Sequence, residues 1–156
     1  VIAGGFINET QIFKAIAMSN FGEGPYVKAI LMGRAPITAV MKSEYFYELS
    51  EKGKLPRDFR DKYGETPERF FIATPELRST FGERFKEIPW GAVGLYTYLT
   101  GRIGVGLKQL MAGVRKWRLN LLDRSDLVSL TERASKATGI PLIEEVEKDA
   151  IERILG

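Results

Sequence analysis

The sequence predicts an α/β protein in which two units of strand, glycine loop and helix open the chain and a mainly helical half follows. Three observations carry that prediction. Val1-Ile2-Ala3 is a short apolar run closed by Gly4-Gly5, the pattern of a parallel strand buried on both faces. A second apolar run, Tyr26 to Met32, closes in the same way on Gly33-Arg34. Beyond Gly101 the apolar residues advance by three and four, the period of an amphipathic helix.

Taken in order, the first glycine pair leads through Phe6-Ile7-Asn8 into a helix from Glu9 to about Ser19. Ile12, Phe13, Ile16 and Ala17 form its buried stripe, Asn8 is placed to cap it, and Glu9 suits the positive end of the helix dipole. Turn residues from Asn20 to Pro25 end it. After the second strand, Pro36 fits a first helical turn, and Ile37, Val40, Met41, Tyr45 and Leu49 keep helical spacing. Ser50 to Pro75 is polar and punctuated by Gly53, Pro56, Gly64 and Pro67, with short helices expected within Arg57 to Tyr63 and Pro67 to Phe71. Pro75-Glu76 opens another helix that Gly82 closes. Trp90 to Leu99 reads as helix, because only that reading brings Trp90, Val93, Gly94, Thr97 and Tyr98 to one face. A long helix is expected to carry Ile103, Leu107, Leu110, Met111, Val114, Trp117 and Leu121. Asp123 or Ser125 would cap the next, with Leu127, Leu130, Ala134 and Ala137 inside and Gly139 at its end. Ile143, Val146, Ala150, Ile151 and Ile154 mark a last helix.

Composition narrows the chemistry. The chain has 156 residues, no histidine and no cysteine. Imidazole bases, catalytic triads, thiolate nucleophiles, disulfides and cysteine-held zinc or iron–sulfur centres are therefore excluded from it. The net charge of 23 − 20 = +3 is a weak field, with basic and acidic residues interleaved, and argues against a nucleic-acid partner. The longest apolar stretch, Ile88 to Leu99, is shorter than the ~20 residues of a membrane span. A cytoplasmic protein without membrane attachment is the resulting expectation. An apolar strand at the very start, with unpaired edges, suggests a missing upstream segment or a partner chain, and an oligomer.

Among candidate sites, the two glycine loops carry the strongest signal. Each follows a strand and precedes a helix, and parallel strands would bring both loops to one side, where free amides bind phosphate. Arg34 would add a charge-assisted bond. The glycines would equally serve as tight turns. Gly101-Arg102-Ile103-Gly104-Val105-Gly106 lacks the third glycine of a dinucleotide loop and the Lys-Ser/Thr of a P-loop, so close packing explains it better. Arg115-Lys116-Trp117-Arg118 reads as a solvated face, as do Glu144, Glu145, Glu147 and Asp149, which could otherwise be imagined as a metal cluster. Trp90, Tyr96 and Tyr98 would be either a packing cluster or, if exposed together, a stacking platform for a flat ring.

Together these residues resemble the C-terminal part of the FMN-binding domain of the glutamate synthase large-subunit family. Val1-Ile2-Ala3-Gly4-Gly5-Phe6-Ile7 is similar to that family's seventh strand and phosphate loop, and Ile30-Leu31-Met32-Gly33-Arg34-Ala35-Pro36 to its eighth. The segment Gly104 to Trp117 is similar to its most distinctive helix, and Leu122 to Leu127 to the segment after that helix. The resemblance implies the last two βα units of a (β/α)8 (TIM) barrel over residues 1–50, a polar connector over 51–89 and a helical extension over 90–156. It implies an FMN-dependent oxidoreductase, a flavoprotein of amino-acid and 2-oxo-acid redox chemistry and glutamate biosynthesis. FMN would be held by its phosphate at Gly4, Gly5, Phe6, Gly33, Arg34 and Ala35. Ring and substrate contacts would come from earlier strands, so the chain alone would be inactive. Glutamate synthases hold an iron–sulfur cluster on cysteines, which this chain lacks; a related FMN oxidoreductase with another amine or acid substrate therefore stays open. A non-catalytic helical module for interaction or oligomerisation is the competing reading.

Overall fold

A computed structural model describes residues 1–155, the side chains of Glu147, Asp149 and Ala150 excepted. At its N-terminal end, β1 (Ile2–Ala3) pairs in parallel with β2 (Ile30–Leu31), Ile2 facing Ile30 and Ala3 facing Leu31. Between them lies α1 (Glu9–Met18), which buries Ile12, Phe13, Ile16 and Ala17 as its spacing requires. The Asn8 side chain accepts the Gln11 amide at 3.0 Å, satisfying a donor that the helix itself leaves unpaired. Asn20 organises the return loop. Its Oδ1 accepts the Gly22 and Gly24 amides at 2.9 and 3.0 Å, while its Nδ2 donates to the Leu122 carbonyl at 2.8 Å.

The expected C-terminal units of a (β/α)8 barrel are not what the chain forms. Its one sheet among the described residues has two strands of two residues each, and the rest of the regular structure is helical. The sequence pattern predicts buried strands, yet Val1 is 89% and Leu31 62% exposed. The physical reason is that an apolar run ending in glycine specifies an extended segment, whereas burial on both faces needs neighbouring strands and covering helices. Among the described residues β1 and β2 have no such flanking strands, and the apolar run before Ile30 adds none, although the Ala29 carbonyl accepts the Ile2 amide and the Tyr26 amide donates to the Ser19 carbonyl.

Two apolar cores hold the helices. One joins α1 to Ile103, Met111 and the fully buried Leu122. The other gathers Phe71, Ala73, Leu77, Phe85 and Val93, with Trp90 stacked between Tyr47 and Phe71 at centroid distances of 5.4 and 5.5 Å. It contains the short helices α3 (Arg57–Tyr63), α4 (Pro67–Phe70) and α5 (Thr74–Phe81) or lies against them. The long helix α2 (Arg34–Glu51) packs on α6 (Trp90–Tyr96), and the crossing is close because Gly94 is glycine. A Cβ there would lie 1.6 Å from Ser43 Oγ. Glu44 of α2 also reaches across, its Oε1 accepting the first-turn amide of Gly91 at 2.7 Å.

From Tyr96 the helix runs on through a π-helical segment, Thr97–Gly104, into α7 (Val105–Gly113). The Gly101 to Gly106 run thus lies inside helix. Cβ atoms at Gly101 and Gly106 would meet Ile72 at 3.0 Å and Glu9 at 2.6 Å, which bears out close packing as their role. The helix expected to reach Leu121 stops at Gly113, so Trp117 is 74% exposed instead of joining the stripe. Arg115 adopts φ +56°, which breaks the helix, and Lys116 turns towards Asp123 and Asp126, its Nζ 2.7 and 2.8 Å from their carboxylates. The hydrogen bonds from Lys116 and then Ser125 hold Asp123 well below the ordinary carboxylate range, at about 2. Burial works against the charge on Lys116, but its two aspartate partners outweigh this and raise it.

Leu127 and Leu130 lie outside helix, following a single 3-10 turn at Arg124–Asp126; helix resumes as α8 (Glu132–Thr138), capped by Thr131 and closed by Gly139 at φ +68°. The last element is α9 (Ile143–Leu155). Among the described residues no helix is long and apolar enough to cross a membrane.

Candidate functional site

The parallel pairing of β1 and β2 brings both glycine loops to one end of the sheet, where they border a cavity of about 970 Å3. All six loop residues singled out from the sequence line it: Gly4, Gly5, Phe6, Gly33, Arg34 and Ala35. The α2 face adds Thr38 and Lys42, and the π-helical segment adds Tyr98. This volume is that of a typical small-molecule or cofactor site.

Backbone conformation explains part of the glycine content. Gly4 and Gly5 have φ of +99° and +71°, in the region that side chains disfavour. Gly33 differs. Its φ is −97°, and an added Cβ would meet no atom within 4 Å, so neither strain nor protein packing requires glycine there. Open space above a bare backbone is what a ligand approaching the main chain would use. The first amides of α2 have no intrahelical acceptor, and Gly33 supplies no side-chain cap. Those of Gly5 and Phe6 donate to no backbone acceptor among the described residues.

The charge of the site is of one sign. Arg34 and Lys42 line the cavity and no carboxylate does. Neither cation forms an ion pair within 4.0 Å among the described residues, although Lys42 Nζ stands 5.7 Å from the centroid of Tyr45. Arg34, Thr38 and Lys42 are spaced i, i+4 and i+8, which puts them in one row about 12 Å long on α2. An anion is therefore the ligand that the lining favours.

Tyr98 fixes the first loop. Its hydroxyl donates to the Ile7 carbonyl at 2.8 Å, and burial raises its pKa, with Glu9 assisting and Arg102 opposing. Trp90, Tyr96 and Tyr98 do not form one platform, since Tyr96 donates to Glu76 at 2.8 Å and Trp90 stacks in the second core. Sequence reasoning missed Thr38 and Lys42 as site residues, although their spacing from Arg34 was the available signal. Tyr98 had no local signal for contact with the first loop, lying 91 residues from Ile7. Among the described residues no group of acids could hold a metal ion; of the imagined acidic cluster, the Glu147 and Asp149 side chains lie outside them.

No protein-family model, curated protein or solved structure matches the chain.

Proposed function

We propose that the chain binds the phosphate of FMN in the glycine-loop cavity and works as part of a flavin oxidoreductase resembling the glutamate synthases. The single observation that carries this is Gly33, a glycine that neither backbone conformation nor packing requires, beside uncapped helix amides and Arg34. Phosphate would lie against the amides of Gly4, Gly5, Phe6, Gly33 and Ala35, with the Arg34 guanidinium opposite its charge. Thr38 and Lys42 would line the path of the rest of the ligand. Bound FMN would supply hydride and electron transfer between an amine or acid substrate and a donor. The protein's share is to hold one end of that group in a fixed place.

The fit is supported by the cavity's size and its lack of carboxylates. It is testable on the 156-residue chain by following backbone amide signals during titration with FMN and, separately, with riboflavin. FMN is expected to shift Gly5, Gly33 and Arg34 and to bind at least tenfold more tightly than riboflavin, which lacks the phosphate. Equal affinities would overturn the phosphate assignment.

A role in association has its own observation. Val1, Leu31, Ile37 and Met41 are exposed by 89, 62, 60 and 67%, beside the cavity and along α2. A partner chain or further copy covering them would complete the ring end of the site. Light scattering during size exclusion tests this, and a monomer at all concentrations would count against it.

A further inference from the structure

A second cavity, of about 190 Å3, lies between α2, α3 and α4 and shares Lys42 with the first. Its walls are aromatic: Phe46, Phe59, Tyr63, Phe70 and Phe71. Phe59 is at their centre, stacked on Phe46 at 4.4 Å and 13°, tilted against Tyr63 at 5.0 Å, and edge-on to Phe70 at 5.4 Å. Of these rings only Phe71 is fully part of a buried core, and Tyr63 remains 46% exposed. Phe46, Phe59 and Phe70 are partly buried, so the rings form the walls of a recess whose open side is at Tyr63.

Rings alone would suit a cation, since their faces carry negative potential. The charges at the rim reverse that preference. Lys42 borders the cavity, the Lys62 Nζ lies 5.1 Å from the centroid of Tyr63, and no carboxylate is among the lining residues. A cationic guest would meet the Lys42 ammonium, with Lys62 close by over Tyr63. An anionic one would meet Lys42, which has no carboxylate partner within 4.0 Å among the described residues. The size suits one ring: a cavity of about 150 Å3 holds benzene, and about 190 Å3 accommodates a single substituted ring.

From this arrangement we propose that the cavity is a binding site for a small monocyclic aromatic carboxylate, its ring among Phe46, Phe59 and Phe70 and its carboxylate on Lys42. The assignment does not depend on the flavin reading. Offset and edge-to-face contacts hold the ring, and the single ammonium sets the polarity.

The test uses the full chain and three probes: phenylacetate, cyclohexylacetate and benzylammonium, followed by amide and aromatic NMR signals. Phenylacetate is expected to saturate with shifts around Phe59 and Phe70, cyclohexylacetate to bind several-fold more weakly, and benzylammonium not to saturate at tenfold higher concentration. Lys42→Met should weaken phenylacetate at least tenfold and remove the discrimination against benzylammonium, with melting unchanged. Phe59→Leu keeps apolar volume should Phe59→Ala fail to fold, and should erase the preference for phenylacetate over cyclohexylacetate. Absence of saturation, benzylammonium binding as tightly as phenylacetate, or unchanged affinity in K42M would each overturn the proposal. Saturation by phenylacetate in a chain that does not tell FMN from riboflavin would overturn the flavin reading alone.

Discussion

Replacing Gly33 by alanine separates a ligand-bearing glycine from a structural one. Its φ of −97° is open to any residue, and the new methyl would meet no protein atom within 4 Å. Alanine narrows the unfolded ensemble, worth about 0.4–1 kcal/mol, and gives up roughly 0.5 kcal/mol as a poorer helix cap. Folding stability should therefore stay within about 0.5 kcal/mol of the parent in urea. Binding should respond quite differently. If the ligand's phosphate rests on this backbone, the methyl overpacks the contact by about 1–3 kcal/mol, weakening FMN roughly 5- to 150-fold. Riboflavin, lacking the phosphate, should bind as before. Gly4→Ala is the comparator: at φ +99° it is strained whatever the space, and should cost about 1–2 kcal/mol of folding stability. An unchanged FMN affinity in G33A, with the fold intact, would refute the inference from open space to ligand.

Acid sensitivity should centre on Asp123. A carboxylate held at about 2, against an ordinary 3.8, contributes stability that is complete above the ordinary value and is lost as pH falls towards 2. With its side chain 38% exposed, solvent screening reduces this to about 1 kcal/mol, so urea midpoints near pH 5 and pH 2.5 should differ less in Asp123→Asn than in the parent. Gly94→Ala should cost about 3 kcal/mol, because the methyl would lie 1.6 Å from Ser43 Oγ and 2.3 Å from its Cβ. Ser43→Gly should recover at least ~1 kcal/mol of that in a double-mutant cycle measured by thermal melting. Tyr98→Phe removes the bond to Ile7 and should destabilise by about 1 kcal/mol, with faster amide exchange confined to the first glycine loop.

Local structure was legible wherever one short stretch holds all the information. The α1 stripe and its Asn8 cap, the short helices after Pro56 and Thr66, and the closures at Gly82 and Gly139 follow from nearest-neighbour chemistry. The meeting of the two glycine loops was legible too, since parallel strands leave their C-terminal ends on one side. Periodicity failed between Val114 and Leu130, where apolar spacing continued but Arg115 left the helix and Lys116 was drawn to two aspartates.

The sequence by itself determined which segments could be helix or strand, which backbone amides lacked side chains over them, and which chemistries the absence of histidine and cysteine excludes. Only the tertiary structure decided that the strands stay short and exposed, that Lys42 and Tyr98 join the loop residues at one cavity, and that five rings surround a second. The reason is one of range. Propensity, caps and turns act within about four residues along the chain. Burial and cavities depend on segments tens of residues apart, such as Tyr98 and Ile7 or Asn20 and Leu122, whose meeting no local pattern records.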